Sequence, residues 1–132
     1  MIYLDSNVFI YAALNANSIG SKMRQLLASV EEGSEAAATS ALTFDELVWA
    51  VGKNREKEDA WAAGQAFLDL RNLKLVDVGP TVLASALEII RENDLAPRDG
   101  IHAATALTQD IKTIVSSDRH FDKIEGLRRR FP

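Results

Sequence analysis

Cysteine is absent from this sequence of 132 residues, and histidine occurs only twice. The lack of cysteine excludes disulfide bonds, thiolate ligands for zinc and cysteine nucleophiles, and it fits a reducing compartment. The sequence also lacks an apolar run of roughly 18 residues, the length that a membrane-spanning helix needs, and the basic region of a secretory signal. We therefore expect a cytoplasmic protein that does not span a membrane.

A net positive charge is missing as well. The chain has 15 basic and 19 acidic residues and a formal charge of −4, so no overall basic field attracts nucleic acid. From Arg98 to the end, seven basic and five acidic residues sum to +2, which leaves −6 for the residues before Arg98. Because 47% of the residues are hydrophobic and only 26% are charged, we expect residues 1–132 to form a single folded domain.

Short apolar runs alternate with helical patterns along the chain. The runs that predict strands are residues 1–4, 36–39, 73–78 and 113–115. Between them, apolar residues recur at helical spacing, and two of these helices are predicted to begin at Ser40 and Asp99. This order favours an α/β fold with an open, mostly parallel sheet that is covered by helices on both faces.

Acidic residues follow two of the predicted strands. Asp5 comes directly after the first strand and Asp118 shortly after the last, while Asp99 begins the helix before that last strand. Because ligands bind at the carboxyl ends of the strands in such sheets, we expect these acids to converge. Taken singly, each of the three aspartates also stands where Asp serves as a helix N-cap.

Glu46 is the fourth candidate, because it interrupts an otherwise apolar helical stretch. An acid on an apolar helix face is uncommon unless it is paired or coordinated. On a helix Glu46 shares a stripe with Leu42, whereas its neighbour Asp45 points outward. Asp122 is consistent both with a further aspartate of the site and with a solvated residue.

Several ionised carboxylates in one pocket require a counter-charge, because like charges at close range raise each other's pKa. A divalent cation supplies that charge. Oxygen ligands suit Mg²⁺ or Mn²⁺, while the missing cysteines and the isolated histidines argue against zinc. The chemistry expected of such a site is phosphodiester hydrolysis by an activated water.

Four segments of the chain carry a resemblance to a known family. They are MIYLDSN at 1–7, SALTFDEL at 40–47, RDGIHAATA at 98–106 and SSDRHF at 116–121. In this order and at these separations they resemble the PIN-domain ribonucleases, in particular the VapC-type toxins of toxin–antitoxin pairs. The resemblance covers the whole chain.

This resemblance implies a three-layer α/β/α sandwich with a mostly parallel, five-stranded sheet. It also implies a metal-dependent endoribonuclease whose cofactor is Mg²⁺ or Mn²⁺. By the resemblance, the acids that match the family's catalytic positions are Asp5, Glu46, Asp99 and Asp118. Three of them are the expected metal ligands, namely Asp5, Asp99 and Asp118.

Other polar residues near these acids have less specific roles. By the resemblance, Asn7 and Ser116 hold the acids or the metal waters by hydrogen bonds, although the family often has threonine where this chain has Ser116. His102 lies beside alanines, which predicts a packed, hydrogen-bonded core histidine. Three cations flank the acids and are candidates either for RNA contacts or for balancing local charge, namely Arg98, Arg119 and His120.

The resemblance further implies a homodimer that is inhibited by a partner antitoxin. The helical segments 40–51 and 60–70 are consistent with a protein-binding surface, because they are rich in large apolar residues for a small sheet protein. If some of this apolar surface is exposed it predicts a partner site, and if it is buried it belongs to the core. The aromatic residues concerned are Phe44, Trp49, Trp61 and Phe67.

Two alternatives stay open. The acids could be caps only, in a non-catalytic α/β protein-interaction module, or the chain could be a solitary PIN-domain nuclease with no antitoxin. A phosphatase with an aspartate nucleophile is disfavoured, because it needs a second aspartate two residues after Asp5, where this chain has Asn7. Stabilisation by Mn²⁺ that is lost in Asp5→Asn would separate a metal site from a simple module.

Overall fold

A five-stranded sheet lies at the centre of the structure, a computed structural model that describes residues 1–132. Its strands are β1 (Ile2–Leu4), β2 (Ala37–Ser40), β3 (Leu73–Val76), β4 (Thr113–Val115) and β5 (Arg128–Arg130). They lie in the order β3-β2-β1-β4-β5, and every neighbouring pair is parallel. The predicted mostly parallel sheet is confirmed, and the sheet is parallel throughout.

Six α-helices connect the strands, together with a short 3₁₀ helix at Arg119–Lys123. They are α1 (Ser6–Leu14), α2 (Ser18–Glu31), α3 (Leu42–Asn54), α4 (Lys57–Asp69), α5 (Pro80–Asn93) and α6 (Pro97–Thr108). None of these helices combines the length and the apolar character that crossing a membrane would need.

The side chains of β1 point alternately to the two faces of the sheet, as the pleat of a strand requires. Ile2 and Leu4 belong to an apolar cluster that extends through α1 to α4 and includes Met23. Tyr3 belongs to the cluster on the other face, which includes Phe121 and residues of α6. Helix α5 packs against α6. The result is the three-layer α/β/α sandwich that was expected.

Two helix starts predicted from the sequence are wrong by two residues. Ser40 is the last residue of β2, and its hydroxyl accepts a hydrogen bond at 3.0 Å from the backbone N–H of Leu42, where α3 begins. Helix α6 begins at Pro97, whose fixed φ suits the first helical position, and Asp99 lies in the first turn. Asp99 is therefore not the N-cap of this helix, and that interpretation of its role is wrong.

Close packing of α5 on α6 depends on Gly100. A Cβ atom at this position would lie 2.3 Å from Cγ1 of Ile90 in α5, which is closer than van der Waals contact allows. The glycine brings the beginning of α6 against its neighbour, and it thereby sets the position of the adjacent Asp99.

Candidate active site at the carboxyl ends of β1 and β4

Asp5 lies directly after β1 and is buried, with 5% of its surface exposed. Its Oδ1 accepts a hydrogen bond at 2.8 Å from the backbone N–H of Ser6, which caps α1, and its Oδ2 accepts one at 2.6 Å from the Ser116 hydroxyl. Burial raises the pKa of Asp5, although the charge of His102 and these hydrogen bonds oppose the rise. Asp5 is thus both an N-cap and a buried acid.

The hydroxyl of Ser116 connects three parts of this region. It donates to Asp5, and it accepts hydrogen bonds from the side-chain amide of Asn7 at 3.1 Å and from the backbone N–H of Asp118 at 3.0 Å. The amide of Asn7 also donates to the Ser117 hydroxyl at 2.8 Å, while its Oδ1 is buried without a hydrogen-bond partner. A buried amide oxygen without a partner is available to accept from a water or to contact a cation.

Asp99 and Asp118 approach each other beside His120. His120 Nδ1 lies 2.9 Å from Asp118 Oδ1 and 3.8 Å from Asp99 Oδ2. One ligand atom from each of the three residues lies within 4.8 Å of the other two. Burial, followed by the charges of Asp118 and Asp5, raises the pKa of Asp99 to about 6. This group of acids therefore carries more negative charge than its surroundings balance.

Glu46 reaches the same region from α3 and meets a buried histidine. Its Oε1 lies 2.5 Å from Nε2 of His102, which is 1% exposed, and that nitrogen is also 3.5 Å from Asp5 Oδ1. The other ring nitrogen, Nδ1, lies 2.6 Å from the hydroxyl of Tyr3. Because a carboxylate offers only acceptors, Nε2 carries a proton and donates a hydrogen bond to Glu46.

The protonation of His102 reflects two opposing influences. Burial lowers its pKa, but the hydrogen bond to Glu46 and the charge of Asp5 outweigh that effect, so the pKa lies above its ordinary value. Burial also raises the pKa of the Tyr3 phenol, as does the charge of Asp5, and the phenol stays protonated. His102 is therefore held between the buried carboxylate of Asp5 and the partly buried carboxylate of Glu46, both of which favour its protonated form.

The structure brings together Asp5, Glu46, Asp99 and Asp118 at the carboxyl ends of β1 and β4, with Asn7 and Ser116 between them. Asp45 is exposed, whereas Glu46 points inward. His120 contacts Asp118 through Nδ1, while 62% of its side chain is exposed. Arg98 and Arg119 are exposed.

Asp122 does not join these acids. Its two carboxylate oxygens accept hydrogen bonds from Arg129 at 2.9 and 3.2 Å. Arg129 also donates to the backbone carbonyl of Ser116 at 3.1 Å. Asp122 thus supports the region only indirectly, through the arginine that holds the end of β4.

His102 is the residue that sequence reasoning placed in the core without a part in the site. It is packed and hydrogen-bonded as predicted, but its partners are the acids Glu46 and Asp5. One signal was available, because His102 lies three residues after Asp99 and such residues share a helix face. The partner Glu46, 56 positions away, could not be inferred from spacing.

The ligand atoms offered here are carboxylate oxygens and the amide oxygen of Asn7, with one imidazole at the rim. Oxygen donors without sulfur suit a hard divalent cation, and the raised pKa of Asp99 marks the excess of negative charge that such a cation would balance. The side chains present therefore fit a divalent cation held by acids.

Comparison with known proteins identifies the family. Residues 2–127 match the family model of the PIN domain. The chain belongs to the PIN domain family. It is also similar to ribonuclease VapC13 of Mycobacterium tuberculosis and to a VapC ribonuclease of Mycobacterium bovis, each 26% identical over 130 residues that cover 98% of both chains.

Solved structures share this PIN domain fold. VapBC2 from Rickettsia felis, bound to a promoter DNA fragment, superposes with a TM-score of 0.77 at 22% identity, covering 99% of this chain and 98% of that one. VapC20 of Mycobacterium tuberculosis, a toxin that cleaves the sarcin-ricin loop, has a TM-score of 0.74 at 14% identity over 90% and 91% of the chains. These similarities confirm the predicted fold class.

Proposed function

We propose that this PIN domain is a divalent-metal-dependent endoribonuclease that hydrolyses RNA phosphodiester bonds, and that it is the toxin of a toxin–antitoxin pair. The observation that carries the proposal is the convergence of acids from four separate segments at one end of the sheet. Similarity to the VapC ribonucleases supports RNA as the substrate.

The acids proposed to hold Mg²⁺ or Mn²⁺ are Asp5, Asp99 and Asp118. When bound, the cation supplies positive charge to the scissile phosphate and activates a water as the nucleophile. Ser116 orients Asp5, to which its hydroxyl donates, and it accepts from the backbone N–H of Asp118. Asn7 in turn donates to the Ser116 hydroxyl and holds it in place.

Glu46 lies beside the proposed metal ligands and keeps one carboxylate oxygen free of protein hydrogen bonds. Its Oε1 is held by His102, while Oε2 has no hydrogen-bond partner within the protein. This second oxygen can accept a hydrogen bond or a proton from a water that attacks the phosphate. In the metal-free protein the pKa of Asp99 is about 6, and a bound cation would favour its ionised form.

Addition of Mn²⁺ in excess is expected to raise the melting temperature of the protein. A ligand present at about 100 times its Kd stabilises the folded state by about 2.7 kcal/mol. The gain should disappear in Asp5→Asn and persist in Asp110→Asn, whose carboxyl group is 91% exposed. Thermal melts with and without chelator measure it, and RNA cleavage should follow the same pattern. A protein indifferent to Mn²⁺ would favour the non-catalytic module.

The antitoxin partner is supported by an apolar cavity on the face formed by α1 to α4. This cavity of about 210 Å³ opens to the surface and is lined only by apolar residues, namely Phe9, Ala12, Ala13, Leu27, Leu47, Ala63, Ala66, Phe67 and Leu70. An apolar helix face of a partner would fill it. Related folds include the VapBC complex from Salmonella typhimurium, which is 21% identical and has a TM-score of 0.74.

We expect the protein to sediment as a homodimer at micromolar concentration and to be inhibited by the product of an adjacent small reading frame. Ala66→Glu places a charge at the mouth of the apolar cavity. It should raise the Kd of the complex with the inhibitory partner by about tenfold or more, since burying an unpaired charge is costly. Leu68→Glu on the same helix adds the same charge outside the cavity. Monomeric sedimentation and equal effects of both variants would contradict this arrangement.

A further inference from the structure

We propose that Trp49 stacks against an unpaired base of the RNA, next to the phosphodiester bond that is hydrolysed at the acidic site. This inference rests on the proposed function and adds a binding subsite to it. Trp49 lies on α3, three residues after Glu46, and 61% of its surface is exposed. Single exposed apolar side chains are common on protein surfaces, so the groups that surround Trp49 carry the inference.

A pocket of about 110 Å³ joins Trp49 to the acidic site. Its lining residues are Ile10, Asp45, Glu46, Trp49, Ala50 and Arg98. Glu46 belongs both to this pocket and to the network with His102, and Arg98 is adjacent to Asp99 in α6. A nucleotide placed in the pocket is therefore the immediate neighbour of a phosphate at the acids.

The charges around the pocket decide which part of a nucleotide enters it. The carboxylates of Asp45 and Glu46 line the pocket and repel a phosphate, so the base is the part that fits between Trp49 and the apolar residues. Lys53 covers one face of the Trp49 ring in a cation–π contact and does not line the pocket, so the base would stack on the other face of the ring. Arg98 is exposed and forms no ion pair, and the Lys53 ammonium lies 4.9 Å from the centre of the Trp49 ring.

Single-stranded RNA is the occupant that combines these features. Bases of a single strand are free to stack on an aromatic side chain, whereas bases in a duplex are already stacked on each other. An aromatic face flanked by cations is the usual arrangement for a strand without sequence preference. A partner protein would meet the same Trp49 beside acids and cations, and its binding is an outcome that the experiments separate.

Fluorescence can report on Trp49 alone, because the chain has only two tryptophans. Trp61, on α4, is 64% exposed and lines no pocket, so it is a matched control. In an Asp99→Asn background, in which RNA cleavage is strongly reduced, Trp61→Phe leaves Trp49 as the only tryptophan, and Trp49→Phe leaves Trp61. Selective excitation of tryptophan excludes the emission of the two tyrosines. A single-stranded hexa-adenylate should quench the first protein and not the second.

Two further probes distinguish stacking from charge. An abasic ribose-phosphate hexamer carries the charge of hexa-adenylate without a base, and a blunt RNA duplex carries more charge with its bases already stacked, so neither should quench Trp49. Quenching by the abasic hexamer equal to that by hexa-adenylate would overturn the proposal. Quenching of Trp61 to the same extent as Trp49 would also overturn it.

Cleavage kinetics give the independent measurement. Trp49→Leu should raise KM for a single-stranded RNA about 5- to 150-fold with little change in kcat, the range that loss of one stacked base produces. Trp61→Leu should leave both constants unchanged. Arg98→Gln should reduce the dependence of log KM on log salt by about 0.7, as expected when one phosphate contact to a single strand is lost.

The outcomes separate this inference from the proposed function. If the wild-type protein cuts RNA and Trp49→Leu behaves as Trp61→Leu does, the subsite is wrong and the nuclease stands. If no RNA is cut in Mg²⁺ or Mn²⁺ but hexa-adenylate still quenches Trp49, the subsite stands and the nuclease is wrong. If Trp49→Leu converts a dimer to a monomer with KM unchanged, Trp49 is a contact between copies and the proposal falls.

Discussion

Asp99→Asn is expected to lower RNA cleavage by about 100-fold or more and, in the absence of metal, to make the folded protein more stable at neutral pH. The two effects have one cause. Asp99 lies where burial and the charges of Asp118 and Asp5 disfavour an ionised carboxylate, and its pKa rises from 3.8 to about 6. A metal ligand placed in this way costs stability until a cation is bound.

The stability gain has a defined dependence on pH. Because the pKa of Asp99 is raised in the folded state, its proton stabilises the wild-type fold most fully below pH 3.8, and this contribution is lost as pH rises through about 6. Asparagine does not titrate. The advantage of Asp99→Asn should therefore be largest above pH 7, on the order of 1–3 kcal/mol, and should shrink toward pH 4.

Thermal melts in chelator from pH 4.5 to 8, together with RNA cleavage in Mn²⁺, test both parts. Asp110→Asn removes a carboxylate that is 91% exposed, so it should change neither cleavage nor stability. Full nuclease activity in Asp99→Asn would refute the assignment of Asp99 to the site. If Asp99→Asn were instead less stable than the wild type at pH 8, with a difference that shrinks toward pH 4.5, the carboxyl group would be stabilised in its ionised form and the prediction would be wrong.

The parallel sheet could be predicted from the sequence because its inner strands are apolar and end at polar residues. β1 and β4 are mostly buried and are followed by Asp5 and by Ser116. The edge strand β5 could not be predicted from its residues, because three consecutive arginines show no apolar alternation. It forms by pairing with β4, and Arg129 adds contacts to Asp122 and to the Ser116 carbonyl.

One part of the candidate site could likewise be predicted from the sequence, and another part could not. Acids at strand ends are visible in the sequence, because topology alone brings the ends of parallel strands together. The network of Tyr3, His102 and Glu46 is not visible, since it joins residues from β1, α6 and α3 that are 99 and 56 positions apart. The pattern of alanines around His102 indicates burial and carries no information about which polar groups face it.

Glu46→Gln is expected to lower kcat for RNA cleavage by about 100-fold or more, a loss typical of removing a group that transfers a proton in the reaction. Glutamine keeps an oxygen that can accept from His102 Nε2, so the geometry of the hydrogen bond survives while the carboxylate charge is lost. The free Oε2 is replaced by an amide that donates instead of accepting, and this change removes the group available to a water.

Asp45→Asn is the matched control, because it changes the neighbouring carboxylate in the same manner. Asp45 is exposed and borders the pocket beside Trp49, so its replacement should alter KM by less than about tenfold and leave kcat close to that of the wild type. Steady-state cleavage of one single-stranded RNA by the two variants, with melting curves to verify folding, makes the comparison. A larger loss of kcat in Asp45→Asn than in Glu46→Gln would mean that α3 presents Asp45, and not Glu46, to the substrate. The contact between Glu46 and His102 would then not be the arrangement used in catalysis.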